Sequence, residues 1–351
     1  MLTLKQAYKD YFDVGAAVAA YWLDEAAETV KAHFDSVTAE NEMKYMGLHK
    51  HNYERPPFRP GMKFEEIKWP EIKDREEYVH PNTVLDTAQA DKIYNFAIDN
   101  GIKVRGHCLS WHGSYPWGAF DQLTPEELLA NTREHYEFVA KHFPKVSCWD
   151  AVNEACDDKN GLYLRDTVYK KLLGEDYLFT LYGMAREILP GIPLVCNDYN
   201  EWVPHKHESI IKLVSSLKER DLVDVIGCQC HVSAHMTDEE FDQIKRCYEN
   251  YAKLGLNIHV TEMDVNCLKW EDKTIDPTSP ETLAKVANVY EKMFKLFRQY
   301  KGVIENVTLW GVSDKHSWLN HFKNREGVKN SCLLFDENYQ PKEALLRITQ
   351  F

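Results

Sequence analysis

The sequence predicts an α/β fold, a single (β/α)8 TIM barrel with its site at the C-terminal ends of the strands, and three observations predict it. Eight short β-prone runs alternate with longer helical stretches, the order expected of a parallel sheet wrapped by helices. Polar and aromatic residues gather just after almost every run. The chain has 351 residues, 44% of them hydrophobic, enough for one large core without disulfide or metal staples. One domain spanning residues 1–351 is therefore expected.

The runs are 14–18, 36–38, 103–106, 146–149, 194–196, 225–228, 258–261 and 307–310. Helices between them carry recognisable starts. Thr124 can cap a helix with Pro125 at its first position and Glu126 and Glu127 in its first turn. Thr237-Asp238-Glu239-Glu240 opens another, and Pro280-Glu281-Thr282 a third that carries Val286, Tyr290, Phe294 and Phe297. The stretch 53–81 breaks the rhythm: Pro56, Pro57, Pro60, Pro70 and Pro81 make it an extended excursion rather than a domain.

A net charge of -13 with no basic run argues against nucleic acid as a partner and favours a neutral substrate. No apolar stretch is long enough to span a bilayer. Nine cysteines, an odd number without scaffold or zinc spacing, read as reduced thiols in a cytoplasm; secretion with a removed signal peptide is the alternative. Cys108, Cys148, Cys196, Cys228 and Cys230 are expected to be small buried hydrophobes. The pairs His49/His51 and His205/His207 lack further ligands at zinc spacing, so they are expected to be solvated, and no metal is expected. Trp22, Trp117 and Trp202 read as packing residues, while Trp69 rides on the excursion. Asn306-Val307-Thr308 matches a glycosylation acceptor but lies on an expected buried strand.

The chemistry concentrates at the strand ends. Glu40, Asn41 and Lys44 follow the second run, His107, Trp111 and His112 the third, Asn153 and Glu154 the fourth, Asn197 and Tyr199 the fifth. Gln229 and His231 end the sixth, Glu262 and Asp264 the seventh, and Trp310 and Trp318 flank the turn after the eighth. A barrel brings these ends to one face, so distant residues share a pocket. Glu154 and Glu262 are the pair that glycoside hydrolysis needs: one carboxyl protonates the departing oxygen while the other attacks the anomeric carbon or activates water. Strands four and seven suit the roughly 5 Å separation of double displacement. Asn153 is placed to bond a sugar 2-hydroxyl, and His231 to hold Glu262 ionised. Trp111, Trp310 and Trp318 offer flat faces to pyranose rings, and Glu40, Asn41, Lys44 and His107 offer polar groups to hydroxyls.

Seven blocks stand in order: TAENEMK at 38–44, RGHCLSWH at 105–112, WDAVNE at 149–154, NDYN at 197–200, GCQCH at 227–231, VTEMD at 260–264, and WGVSD at 310–314 running on to Trp318. In them the chain resembles family 10 of the glycoside hydrolases, the endo-β-1,4-xylanases, most of all its short intracellular members. The resemblance implies a retaining enzyme that cuts xylan or xylo-oligosaccharides, with Glu154 as acid/base and Glu262 as nucleophile. It implies that Glu40, Asn41, Lys44, His107, Trp111, Asn153, Gln229, His231, Trp310 and Trp318 line the glycone side and cleavage point. Tyr199 would face the aglycone, with Asp264, His112 and Asn197 in support, and no cofactor is implied. Gly113-Ser114-Tyr115-Pro116 departs from the glutamine or asparagine pair that members usually carry there. The excursion at 53–81 is longer than usual and reads as a solvated loop, with a partial cap over the distal glycone subsites that favours short xylo-oligosaccharides as the alternative. An exo-like activity on short oligosaccharides or aryl xylosides is the alternative within the enzyme class. A sugar-binding protein without turnover is the rival outside it, disfavoured by the presence of both carboxylates.

Overall fold

The computed structural model describes residues 2–51, 68, 71–269, 272, 274–321 and 328–351. Eight strands form its centre: β1 Asp13–Val18, β2 Ser36–Ala39, β3 Lys103–Gly106, β4 Val146–Asn153, β5 Leu194–Asp198, β6 Val225–Cys228, β7 Asn257–Asn266 and β8 Ile304–Leu309. Each pairs in parallel with its neighbour, and β8 pairs with both β7 and β1, which closes the barrel. Helices α1 Leu23–His33, α2 Ala88–Asp99, α3 Pro125–His142, α4 Tyr177–Ile188, α5 Pro204–Lys218, α6 Asp238–Lys253, α7 Pro280–Gln299 and α8 Glu343–Thr349 follow the strands in turn.

Burial explains the strand composition. Every residue of β2, β5 and β6 is buried, because the inner face fills the barrel and the outer face meets helices. On α7, Val286, Tyr290, Phe294 and Phe297 are buried together, the one-sided stripe of a helix packed on a sheet. Thr124 and Glu127 form a reciprocal capping box at the start of α3, and Thr237 and Glu240 another at α6. Ser279 caps α7 ahead of Pro280.

Six of the eight strands differ from the expected bounds, β4, β7 and β8 the most. Short strands Ser110–Trp111 and His231–Ser233 pair with the ends of β4 and β7 and lengthen them. Glu262 and Asp264 therefore lie inside β7 rather than beyond it. β8 starts at Ile304 and stops at Leu309, leaving Trp310 just past its end.

Most of the proline-rich excursion, with Trp69 and both readings of it, solvated loop or cap over the cleft, lies outside the described residues. Its end forms the helix Arg75–Val79 and a 3-10 turn, Pro81–Val84, fastened to α3 where Asn131 donates to the Tyr78 carbonyl. This packing overturns the expectation that His49 and His51 are solvated. His49 Nε2 lies 2.9 Å from His135 Nδ1, and the His51 ring stacks on Tyr45 and Tyr78. Burial pushes His49 down to about 4 and His51 to about 3. His205 and His207 are held too, by the carbonyls of Asp158 and Glu201.

All nine cysteines are buried and unbridged, with Cys228 and Cys230 facing Tyr248 of α6 rather than the pocket. Asn306 and Thr308 are buried in β8, and Trp22 is buried, while Trp117 is 40% exposed, donates to the His112 carbonyl at 3.0 Å and meets the Tyr115 ring. Among the described residues no helix is long and apolar enough to cross a membrane, and no group of three His, Cys, Asp or Glu is set to hold a metal ion.

Candidate active site

The C-terminal ends of β4 and β7 carry Glu154 and Glu262 into one pocket. Glu154 takes a left-handed backbone turn, φ 57°, which lifts its side chain out of the β4 alternation. Its N–H donates to the Asn197 carbonyl at 2.8 Å, and its own carbonyl accepts from Arg165 Nε at 3.1 Å. Such a conformation is costly for a residue with a side chain, and these bonds on both sides offset it. Its carboxyl accepts from Trp111 Nε1 at 2.9 Å and Gln229 Nε2 at 3.1 Å. Burial raises its pKa, and the charges of Asp198 and Glu262 add to that, while the bonds from Trp111 and Gln229 pull the other way.

Glu262 has the opposite surroundings. Its Oε1 accepts from Asn197 Nδ2 at 2.8 Å, and Oε2 lies 3.4 Å from His231 Nε2. His231 Nδ1 is 3.1 Å from Asp264 Oδ1, and Asp264 Oδ2 accepts from Trp318 Nε1 at 2.7 Å. Burial alone would raise the Glu262 pKa. The bond from His231 and the charges of His107, His231 and Lys44 outweigh it, and the net direction is down. Burial likewise disfavours the imidazolium of His231, yet Asp264 and Glu262 push it up to about 10.

Two amides join the carboxyls. Asn197 Nδ2 also donates to Asn153 Oδ1 at 2.8 Å, and Asn153 Nδ2 reaches Glu154 Oε1 at 3.3 Å. Thr261 Oγ1 donates to Asn197 Oδ1 at 2.6 Å and fixes that amide's orientation. On the β2 side, Lys44 Nζ donates to Asn41 Oδ1 at 3.0 Å and sits 4.7 Å from the Trp111 ring centre. Burial, opposed by Lys44 and reinforced by Glu42 and Glu262, raises Glu40 to about 7. His107 Nδ1 lies 2.7 Å from Asp150 Oδ2, and its ring meets Trp310 edge to face. His112 Nε2 is 3.9 Å from Glu154; burial and the charges of Arg165 and Lys206 push it to about 3, so it is neutral. Across the pocket, the Tyr199 hydroxyl donates to Asp158 and accepts from Arg165, with Lys206 Nζ 4.2 Å from its ring centre.

The surroundings thus push the two pKa values apart, Glu262 down and Glu154 up, the direction of split that nucleophile and acid require. Against this geometry, the family profile of glycosyl hydrolase family 10 matches residues 3–351.

The chain belongs to glycosyl hydrolase family 10.

This family 10 chain is similar to endo-1,4-beta-xylanase A of Caldicellulosiruptor saccharolyticus, 38% identical over 362 residues that cover 100% of this chain and 96% of the relative. It is 37% identical to endo-1,4-beta-xylanase B of Paenibacillus barcinonensis, covering 99% of this chain and 97% of the relative. Among solved structures, CbXyn10B in native form superposes with a TM-score of 0.86 at 32% identity, covering 100% of this chain and 99% of that one. A glutamate-to-alanine mutant solved in complex with xylotriose gives the same score and identity over 100% of both chains.

All sixteen residues singled out in the sequence are described; hydrogen bonds, ion pairs and ring contacts join most of them at this end of the barrel, while Glu40 and His107 are tied to Glu262 by charge and Trp310 by its contact with His107. Their supports carry little mark in the sequence. Asp150, which joins Arg105 to His107, was visible inside the block at 149–154 but received no role. Arg165 lies in a polar loop with no pattern to mark it. Besides offering flat faces to sugars, Trp111 and Trp318 donate to Glu154 and Asp264. At Gly113 a Cβ would come 2.5 Å from the Trp111 ring. Ser114 Oγ accepts from Met46 N at 3.1 Å and ties this loop to the one after β2.

Proposed function

We propose that the chain is a retaining endo-1,4-β-xylanase in which Glu262 is the nucleophile and Glu154 the acid/base. The observation that carries this assignment is the opposed setting of the two carboxyls, with Glu262 beside the His231 imidazolium and Glu154 half-buried among neutral donors. In the first step Glu154 gives its proton to the glycosidic oxygen, the bond to the aglycone breaks, and Glu262 bonds to the anomeric carbon. In the second, the Glu154 carboxylate takes a proton from water, whose oxygen displaces Glu262. Glu40, Asn41, Lys44, His107, Gln229, Trp310 and Trp318 hold the glycone, and Asn153 bonds the 2-hydroxyl of the reacting sugar. Tyr199 faces the aglycone, while Asn197, His112 and Asp264 set the charge and orientation of the carboxyls.

NMR of products freshly formed from xylotriose to xylohexaose tests this reading, with the β-anomer expected first; an α-anomer would overturn it. A fall in xylan viscosity that outpaces the release of reducing ends separates endo action from an exo-like one. Glu262→Ala is expected to abolish hydrolysis while leaving sugar binding measurable. Nine unbridged thiols fit a reducing cytoplasm, and fractionation of the producing cell decides between that compartment and secretion.

A further inference from the structure

Tyr21 is the most exposed large hydrophobic residue among those described, at 75%. A single exposed ring is common on any surface; this one is distinguished by how it is held and where it stands. It lies in the loop after β1, at the end of the barrel that carries Glu154 and Glu262. Its ring meets His316 edge to face, with centroids 5.8 Å apart. His316 in turn lies flat on buried Trp22, at 5.5 Å and an interplanar angle of 4°, and its Nε2 is 3.5 Å from Glu25. The preceding residue is fixed by its backbone: Ala20 N donates to Glu42 Oε1 at 2.7 Å, and Ala20 O accepts from Lys92 Nζ at 2.8 Å. The loops after β1, β2 and β8 are thus fastened around one outward ring.

That ring stands on the loop next to the one that carries Glu40 into the pocket. Glu40 N donates to the Val18 carbonyl at 2.9 Å, so the loops carrying Tyr21 and Glu40 leave the barrel side by side. The carboxyls of Glu40 and Glu42 are near enough to add to the effect of burial in raising the Tyr21 hydroxyl. An aromatic ring held at little entropic cost, beside the polar groups that orient sugar hydroxyls, matches the C–H face of a pyranose. A neutral chain also fits a rim that holds Glu40 and Glu42, where an anionic ligand would be repelled.

We propose that Tyr21 is a stacking platform for a distal glycone sugar of a β-1,4-linked pyranose chain, extending the cleft beyond Glu40 and favouring longer substrates. This rests on the xylanase reading and deepens it. The test compares kcat/KM of wild type, Tyr21→Ala and Tyr21→Phe on xylohexaose and on an aryl xylobioside, too short to reach the ring. Tyr21→Ala is expected to lower kcat/KM on xylohexaose about three- to tenfold, the range of one aromatic contact, and to leave the aryl xylobioside unchanged. Tyr21→Phe, which keeps the face and loses only the hydroxyl, is expected to retain wild-type values. An unchanged ratio in Tyr21→Ala, or an equal loss on both substrates, overturns the platform while leaving the activity intact. A wild-type protein that turns over neither substrate overturns the activity and the platform with it.

Discussion

Replacing His231 by asparagine removes the cation from the acid chain that ends on Glu262 while keeping a polar side chain. His231 lies 3.4 Å from Glu262 and 3.1 Å from Asp264. A hydrogen bond to a charged group is worth about 1.5–3 kcal/mol, which at about 1.36 kcal/mol per unit is roughly one to two pH units on Glu262. The folded Glu262 pKa is depressed, so its working, ionised form is present above that pKa and is lost as pH falls through it. Without His231 the same loss sets in at higher pH. The acid limb of kcat/KM against pH is therefore expected to move up by about one to two units, measured on xylohexaose with the melting temperature as a check on folding. Asp264 retains its bond from Trp318, so the variant keeps one partner for that buried charge. An acid limb that stays in place in a folded variant refutes the argument that His231 keeps Glu262 ionised.

Glu154→Gln removes the proton donor and is expected to lower kcat on xylan by roughly 10²–10⁴. The loss is expected to be much smaller on aryl xylosides whose leaving groups need no proton, so parallel assays on the two substrates check it. Glu201 is fully buried, and burial, partly offset by the backbone amides of Glu201 and Cys230, raises its carboxyl to about 8. Its folded pKa exceeds the unfolded value, so stability falls as pH rises from the unfolded pKa through about 8. Glu201→Gln, a neutral mimic, is expected to flatten that fall, and thermal melts at acid and mildly alkaline pH read it out. Trp318→Phe keeps a ring and removes the donor to Asp264; a loss of about 1.5–3 kcal/mol in stability is expected from denaturant unfolding. Thr124→Ala opens the capping box of α3 and is expected to cost about 1 kcal/mol with no change in kcat.

The barrel was legible because its signals are local. Each strand run, the capped starts of α3, α6 and α7, and the one-sided stripe on α7 depend on neighbours within a turn or two. The clustering of polar residues after the strands then placed the pocket. What the sequence hid arises from distant contacts. The strands at 110–111 and 231–233 exist through pairing with β4 and β7, and nothing in their own residues announces it. His49 and His51 look like surface histidines until the helix at 75–79 and α3 close over them. The positive φ of Glu154 could not be foreseen either, since glutamate carries no preference for that region, and it depends on Asn197 and Arg165 reaching it from elsewhere.

The central claim is that Glu262 bonds to the sugar while Glu154 handles the proton. A slow 2-deoxy-2-fluoro xylobioside with a good leaving group tests it most directly, by trapping the glycosyl-enzyme for peptide mass spectrometry. One sugar adduct on Glu262, reversed as activity returns, is the predicted result. An adduct on another residue, or full turnover with no adduct and an inverted product, would contradict the account.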